Sequence, residues 1–417
     1  MRHNHGNRCV AGQAYGMLAA SMTTKTILGA PGAPTAAAAH AANVCELRGA
    51  VLDIGPDRIQ NFPCSAERMP NGELRTYYAN VKAQPGATVL SGFGRATGPW
   101  NALRREDAVF QSAPTKGATR FTIGGFPLNG TAAATQPVHV ALPGGRHRVY
   151  FWLHDFGRPP YENLCRFVAA ESDDDMNYNL VNLATPCLYQ TFNDRAAQRR
   201  RAAEEGRTIP ADTTGDQPSL APHDLCCNDA TTVYRLADGT FEIYTASLLP
   251  RQAEPWGVHV PFDNAPGWRR YIVRYTSTDG LAWKLGGPVV LPDEKDPPYL
   301  QFYYLAVHHL PDGHRIGFLG HYNVLEQSID IELCFSKDGR AWERPCRDTP
   351  FIRRSPQEIM LLTGSTPFVQ ADDGWAFLYS SMNFTHRETY CTEPHIKGTV
   401  KLAWFKELPA RPTAERV

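Results

Sequence analysis

The chain has 417 residues, and its 42 lysines and arginines balance 42 aspartates and glutamates, so the formal net charge is zero. This balance provides no basic surface for nucleic acid and no attraction to an anionic membrane. No run of 18 apolar residues is present to cross a bilayer, so we expect partners other than nucleic acid and membranes.

Residues 1–44 begin the chain with a basic start and a weakly apolar stretch that Gln13 and Tyr15 interrupt. We interpret this segment as a disordered leader or a poor secretory signal, because no clear cleavage site follows it. The ten cysteines have no regular spacing, which predicts neither a disulfide framework nor a zinc motif. The cysteines therefore do not fix the cellular compartment, and residues 45–417 are predicted to form one domain.

Five segments further along the chain have the alternating apolar and aromatic pattern of half-buried strands. Each follows a turn that contains glycine, and another β-rich stretch such as 231–236 or 305–310 precedes it. These five segments are residues 72–81, 146–155, 239–248, 314–323 and 374–383. With 34 glycines and 33 prolines in the chain, we predict many short strands joined by tight turns.

A second pattern repeats after these strands. Residues 277–283 and 336–342 both read Ser-x-Asp-Gly-x-x-Trp, and residues 172–178 keep the same spacing from Ser to an aromatic residue. Ser and Asp side chains can accept backbone N–H groups in a turn, and Gly supplies a positive φ. Three copies with equal internal spacing indicate a structural repeat.

The repeating unit is therefore strand, Gly turn, strand, loop, strand, Asp-Gly turn, strand, and five units fit between about residue 55 and residue 408. One such unit cannot bury both of its faces, whereas units packed radially can. We predict an all-β, five-bladed β-propeller of four-stranded antiparallel blades. Residues 194–222 are predicted to be a short helical or disordered insertion between blades two and three.

In this topology the long loops and the blade-to-blade crossings lie at one end of the barrel. A rigid scaffold that gathers long loops on one face usually carries its binding site there. Carboxylates and aromatic rings at the mouth of a central channel suit a sugar, because glycosidic cleavage needs one protonated and one ionised carboxyl group. These segments are residues 154–163, 223–229, 248–268, 293–302, 320–328, 353–360 and 381–398.

The five-blade pattern, the Ser-x-Asp-Gly-x-x-Trp turns and the sequence DATTVYRLADGTFEIYTA (229–246) resemble the five-bladed propeller glycoside hydrolases, the broad set around families 32 and 43. The resemblance covers about 55–408 and is strongest over 223–345. It implies an inner-strand Asp as base or nucleophile and a Glu on another inner strand as acid. Asp229 matches the inner-strand Asp. The comparable positions in the other blades are not acidic: blade two has Gln136, blade five has Thr366, and blade one has Asn61-Phe62 where Asn228-Asp229 stands, while the nearest polar group in blade four is Gln301.

The catalytic candidates are Asp229, Asp224 and Glu358. We predict that Asp229 acts as base or nucleophile and pairs with Asp224 or Glu358. Each has a simpler alternative: Asp229 could cap its strand, Asp224 could be a turn residue, and Glu358 could form a surface salt bridge.

The substrate-binding candidates lie at strand ends or in the long loops. Trp256 is predicted as a stacking platform, with a small local core as its alternative, and residues 321–323 are predicted as a group that reads sugar hydroxyls. The full set is His154, Asp155, Gln136, Trp256, Gln301, His321, Tyr322 and Asn323.

Two functions from different classes stay open: a glycoside hydrolase acting on an oligo- or polysaccharide, and a non-catalytic carbohydrate-binding propeller. A phosphorylase is a third option, with Arg158, Arg251 and Arg387 available for phosphate. No cofactor is expected, with a structural calcium ion left open, and the spacing of His386, Cys391 and His395 fits no standard metal site. A hydrolase of this kind favours a secreted or periplasmic location over a cytoplasmic one, and the sequence does not decide the oligomeric state.

Overall fold

The computed structural model describes residues 45–53, 65–80, 89, 91–128, 132–155, 164–189, 231–250, 260, 263, 268–347, 349–388 and 396–411. The predicted leader (1–44) and the predicted insertion (194–222) lie outside these residues. The described chain is all-β, as predicted, and its helical structure consists of two short 3₁₀ turns, Pro143–Gly145 and His386–Glu388. In these ranges no helix has the length and apolar character to cross a membrane.

The strands form antiparallel ladders in which chain neighbours pair. The first strand, β1 (Cys45–Asp53), stands apart from the ladder that follows it. Ladder I contains β2 (Ser65–Arg68), β3 (Leu74–Asn80), β4 (Gly92–Gly98) and β5 (Arg104–Asp107).

Ladder II lies in a seven-stranded sheet that includes three short strands outside the repeating unit. The short strands are β6 (Val109–Phe110), β7 (Thr122–Gly124) and β12 (Leu188–Tyr189). The ladder itself contains β8 (Ala132–Ala141), β9 (His147–Asp155), β10 (Leu164–Ser172) and β11 (Asn177–Leu180). Strand β7 pairs in parallel with both β6 and β11, an addition that the repeat did not predict.

The next two ladders follow the same order of strands. Ladder III contains β13 (Thr232–Arg235), β14 (Phe241–Pro250), β15 (Trp268–Ser277) and β16 (Lys284–Val290). Ladder IV contains β17 (Leu300–His309), β18 (Arg315–Asn323), β19 (Ser328–Ser336) and β20 (Trp342–Glu343).

Ladder V combines the two ends of the described chain. It contains β22 (Phe368–Ala371), β23 (Gly374–Met382), β24 (Gly398–Phe405) and, outermost, β1. Strand β21 (Met360–Leu362) pairs with β19 and β23, so ladders IV and V share a nine-stranded sheet. The sequence units began near residue 55, and the structure shows that an earlier segment supplies the fourth strand of the last ladder.

The hydrophobic core lies between ladders. Strand β9 shows why, because successive side chains on a strand point to opposite faces. Val149, Phe151 and Leu153 pack into a cluster with ladder I, whereas Tyr150 and Trp152 pack into a cluster with ladder III. Further clusters fill the spaces between III and IV, IV and V, and V and I.

The three copies of the repeated turn have the same hydrogen bonds. Asp279 Oδ1 accepts the backbone N–H groups of the residues two and three positions later, at 2.8 and 2.9 Å. Asp338 does the same at 2.8 and 3.1 Å, and Asp174 at 2.9 and 2.8 Å. The predicted structural repeat is therefore confirmed.

Each Ser-x-Asp-Gly turn docks on the second strand of the preceding ladder. The Tyr150 hydroxyl donates to the carbonyl of Gly280 at 2.9 Å, and the Tyr244 hydroxyl donates to the carbonyl of Gly339 at 3.2 Å. Trp283 packs edge-on against Tyr150 (6.4 Å, 70°), and Trp342 packs in the same way against Tyr244 (5.9 Å, 86°). The two tryptophans occupy corresponding places, as their shared spacing predicts.

We predict that Gly280→Ala destabilises the protein more than Gly313→Ala. Both glycines have positive φ, +72° and +86°, so the backbone cost is similar, about 1 kcal/mol. A Cβ at Gly280 would lie 2.5 Å from the Tyr150 hydroxyl, whereas a Cβ at Gly313 meets no atom within 4 Å. We expect about 1–3 kcal/mol of additional destabilisation for Gly280→Ala in denaturant unfolding, and equal losses would contradict the docking.

Candidate functional site

One end of the ladders carries the connections that lead from second to third strands. In ladder II, Ala132, Asp155 and Leu164 pair side by side at this end. In ladder IV, Leu300, Asn323 and Ser328 do the same. We call this the loop end, and the opposite end, which holds the Gly turns between first and second strands, the turn end.

A buried polar network lies at the loop end, where ladders III and IV meet the segment after β23. We call it the loop-end cluster, and it consists of Asp263, Arg270, Gln301, Tyr303, Tyr322 and His386. Gln301 and Tyr322 are cross-strand partners on β17 and β18, which puts both side chains on one face of the sheet. The cluster therefore contains two of the residues predicted from the sequence.

Arg270 is the centre of the loop-end cluster, and its side chain is only 1% exposed. Its Nη1 atom donates to Asp263 Oδ2 at 3.1 Å and to Gln301 Oε1 at 2.8 Å, and its guanidinium lies 5.1 Å from the centre of the Tyr322 ring. Burial raises the pKa of Asp263, but Arg270 and the Tyr322 hydroxyl outweigh burial and lower it. Asp263 is therefore an ionised carboxylate in a site shielded from water.

His386 links the two tyrosines of the loop-end cluster. Its Nε2 atom lies 2.8 Å from the Tyr303 hydroxyl, and its Nδ1 atom lies 3.2 Å from the Tyr322 hydroxyl. The Tyr322 hydroxyl also donates to Asp263 Oδ1 at 2.6 Å. Because the Tyr322 hydroxyl donates its only hydrogen to Asp263, His386 Nδ1 donates to Tyr322, and Nε2 of the neutral imidazole accepts from the Tyr303 hydroxyl.

Glu358 lies at the same end, in a different group. Its Oε1 atom accepts from Ser381 Oγ at 2.5 Å and from Lys401 Nζ at 2.7 Å, and its Oε2 atom accepts the backbone N–H of Ser355 at 2.6 Å. Burial raises the pKa of Glu358, but the hydrogen bonds from Lys401 and Ser381 outweigh burial and lower it to about 2. The carboxylate is therefore ionised near neutral pH.

Glu358 also borders an open cavity of about 540 Å³. Across the cavity Arg354 binds both oxygens of Asp330, at 2.6 and 3.0 Å, while Arg353 is exposed. Carboxylate acceptors beside guanidinium donors are the groups that can bind sugar hydroxyls. The lining residues are Asp330, Pro350, Arg353, Arg354, Ser355, Pro356 and Glu358.

Two further candidates lie in ladder II. His154 is 7% exposed, its Nε2 atom lies 3.6 Å from Cys165 Sγ, and burial lowers its pKa to about 4. Gln136 has a φ of 56° where β8 bulges between Thr135 and Val138, and its Oε1 atom accepts the backbone N–H of Thr231 at 3.4 Å. Strained backbone of this kind is concentrated at functional sites, so Gln136 remains a candidate.

The structure does not bring His321, Tyr322 and Asn323 together as one group. Consecutive strand residues point to opposite faces, so the side chain of His321 lies on the face opposite to Tyr322. There it pairs with Glu332, which also binds Arg344. The Asn323 side chain instead accepts backbone N–H groups of the turn that follows β18. The predicted hydroxyl-reading group therefore contributes one residue, Tyr322, to the loop-end cluster.

Asp224, Asp229 and Trp256 lie outside the described residues, and so does the side chain of Asp155, whose backbone pairs with Ala132 and Leu164. The sequence reasoning missed Asp263 and Arg270, although both lie at the end of the long loop 248–268 or directly after it. His386 was considered only as a metal ligand. The available signal was the arginine pair at 269–270, at the start of a strand and directly after a long loop.

The fold has counterparts among solved structures. The BT0996 RGII complex has a TM-score of 0.55 and 11% identity, and the match covers 89% of this protein and 93% of that one. A glycoside hydrolase gives a TM-score of 0.51 at 11% identity, with the same coverage. An N-acetylgalactosamine deacetylase from F. plautii in complex with blood group B trisaccharide gives a TM-score of 0.50 at 12% identity, and this match covers 86% of this protein and 95% of the deacetylase.

No family model matches the sequence, and no curated protein matches it. At 11–12% identity the structural matches show a shared fold, and they confirm at that level the resemblance to propeller glycoside hydrolases. The matches also include a deacetylase, so this fold carries more than one reaction.

We predict that Glu358 stabilises the protein in a pH-dependent way. Its folded pKa of about 2 lies below the usual 4.5, so its contribution is full above about pH 4.5 and is lost as the pH falls towards 2. Glu358→Gln should cost roughly 1–3 kcal/mol of unfolding free energy at about pH 6, and the difference from wild type should shrink on acidification.

The control for this experiment is Glu294→Gln, which changes an exposed glutamate. This variant should follow the wild-type unfolding curve at each pH. A loss for Glu358→Gln that stays constant from about pH 6 to pH 3 would show that the carboxylate charge is not the stabilising feature.

Proposed function

We propose that the protein is a glycoside hydrolase that cleaves a glycosidic bond in an oligo- or polysaccharide at the loop end. The observation that carries the proposal is the fold shared with a glycoside hydrolase over 89% of the chain. The cavity beside Glu358 supports it, since this cavity offers the carboxyl groups of Glu358 and Asp330 and two guanidinium groups to a polyhydroxylated ligand.

We further propose that ladders I to V are the blades of a five-bladed propeller. The contacts between first strands support a ring: β2 contacts β8, β8 contacts β13, β13 contacts β17, and β22 contacts β2. The ring is completed by His308 of β17, whose side chain packs 5.6 Å from Phe368 of β22. In this arrangement the starts of all first strands surround one channel mouth at the loop end.

The proposed chemistry uses Asp229 as base or nucleophile. A proton donor must hold its proton at the working pH, and the low pKa of Glu358 makes that residue a poor donor. This favours Asp224 as the proton donor. Glu358 would then remain an ionised acceptor for sugar hydroxyls. Gln136 would supply an amide group where the resemblance places an acid, and Gln301 would supply a second amide group in ladder IV.

The second candidate function is carbohydrate binding without hydrolysis. One specific observation favours it: the first strand β8 carries glutamine, Gln136, at the position comparable to Asp229, and the nearest polar group on β17 is also a glutamine, Gln301. An amide can bind a hydroxyl but cannot act as the general acid or base that cleavage requires.

We predict that Asp229→Asn lowers the rate of hydrolysis by about 10²–10⁴-fold while sugar binding survives, because the amide keeps the shape and removes the base. The measurement is turnover on a panel of aryl glycosides and polysaccharides, with and without phosphate. Asp312→Asn is the matched control, since it changes an exposed aspartate at the turn end and should leave turnover unchanged.

Asp224→Asn separates the two carboxyl roles. If Asp224 donates the proton, this variant should lose most activity on polysaccharides and little on aryl glycosides whose leaving group needs no protonation. Undiminished turnover of Asp229→Asn would remove Asp229 from the mechanism. Binding of a glycan without turnover by the wild type would favour the carbohydrate-binding function, and turnover that requires phosphate would favour a phosphorylase.

A further inference from the structure

A second polar cluster lies at the turn end, between ladders I and II and far along the strands from the loop end. Its centre is formed by His139 on β8, His147 on β9 and Asp175 in the turn between β10 and β11. His139 Nε2 lies 3.1 Å from His147 Nδ1, and His147 Nδ1 lies 3.7 Å from Asp175 Oδ1. All three of these atoms lie within 4.8 Å of one another.

The two distances of 3.1 and 3.7 Å are close to the spacing of ligands around one small metal ion. Zinc binds imidazole nitrogen and carboxylate oxygen at about 2.0–2.2 Å in a tetrahedron, which sets its ligand atoms roughly 3.2–3.6 Å apart. Two imidazoles and one carboxylate form a donor set that zinc accepts, and this set leaves one tetrahedral position for water.

The surroundings hold the ligands in the orientation that a metal requires. Glu67 Oε1 on β2 lies 3.2 Å from His139 Nδ1, so the carboxylate keeps the hydrogen of His139 on Nδ1 and leaves a lone pair on Nε2. The Tyr77 ring stacks on His139, with centres 5.2 Å apart and planes at 7°. Arg75 pairs with both Glu67 and Asp175, which joins the cluster to ladder I.

An independent observation concerns the hydroxyl of Tyr77. Tyr77 is 0% exposed, and its hydroxyl oxygen has no hydrogen-bond partner among the residues that the structure describes. It interacts electrostatically with Arg75, Asp175 and Glu67, so it lies beside the cluster. A buried hydroxyl usually has a hydrogen-bond partner, and a water molecule bound to a metal ion would be such a partner for Tyr77.

The local charge also favours a cation. The carboxylates of Glu67, Asp175 and Glu106 face the guanidinium groups of Arg75 and Arg95, which leaves one negative charge in excess.

We propose that His139 Nε2, His147 Nδ1 and Asp175 Oδ1 bind a zinc-type divalent cation, with water in the fourth position next to the Tyr77 hydroxyl. On binding, His147 carries its hydrogen on Nε2, so that Nδ1 presents a lone pair. All three ligands belong to ladder II. From ladder I, Glu67 contacts His139 and Arg75 pairs with Asp175. The ion would therefore brace the interface between the two ladders at the turn end, away from the proposed sugar site.

The test is zinc binding by the full chain after treatment with a chelator, followed with a chromophoric competitor. His147→Gln removes one ligand at a partly exposed position, and His314→Gln is the matched control, an exposed histidine at the turn end of ladder IV. We expect His147→Gln to bind one zinc equivalent fewer than wild type, and His314→Gln to bind the same number as wild type. Equal stoichiometry for wild type and His147→Gln, or no zinc bound by wild type, would overturn the proposal.

Three further measurements complete the test. Zinc should raise the thermal unfolding temperature of the wild type and of His314→Gln, but not that of His147→Gln. Glu67→Gln keeps all three ligands and should weaken zinc binding by about 10–100-fold. X-ray absorption of the wild type with one zinc equivalent should show nitrogen and oxygen neighbours, and a sulfur neighbour would place the ion on cysteine and refute the assignment.

Discussion

The whole structure depends on one constraint: each ladder has apolar side chains on both faces and must be covered on both sides. Strand β9 carries Phe151 towards ladder I and Trp152 towards ladder III, and both side chains are fully buried. A sheet that is covered on one side only would expose its other apolar face to water, at a free-energy cost of roughly 25 cal/mol for each Å² left uncovered. Neighbouring ladders remove this exposure, so every ladder contributes to two hydrophobic clusters.

Polar contacts then decide how neighbouring ladders are aligned. The hydroxyls of Tyr150 and Tyr244 reach the next ladder at the carbonyls of Gly280 and Gly339. Apolar packing is not directional, whereas a hydrogen bond between buried partners fails if the two sheets slide. Glu242 is buried and binds Arg274 of its own ladder and His309 of the next ladder, so it also helps to align the two sheets. We interpret these contacts as fixing the alignment of neighbouring ladders more than as adding net stability.

Packing of this kind separates the two ends of the molecule. Antiparallel strands bring the long connections to the loop end, where Arg270, Asp263 and His386 form a polar network from three different segments. The turn end has short connections, and there the ladders meet through pairs such as Arg75 with Asp175. A buried polar network needs all of its partners present, so each cluster depends on contacts between segments that are distant in the chain.

The sequence by itself determined the features that local chemistry controls. The Asp-Gly turns at 277–283 and 336–342 follow from hydrogen bonds between residues two or three positions apart, and alternation at period two marks the strands. Only the tertiary structure decided which side chains meet. It completed ladder V with β1, and it joined Asp263 to Tyr322 across 59 positions of the chain and Tyr322 to His386 across 64. It also placed the side chains of His321 and Tyr322 on opposite faces of β18. The alternating sequence pattern shows that neighbouring residues point to opposite faces, but it does not show which sheet packs against each face.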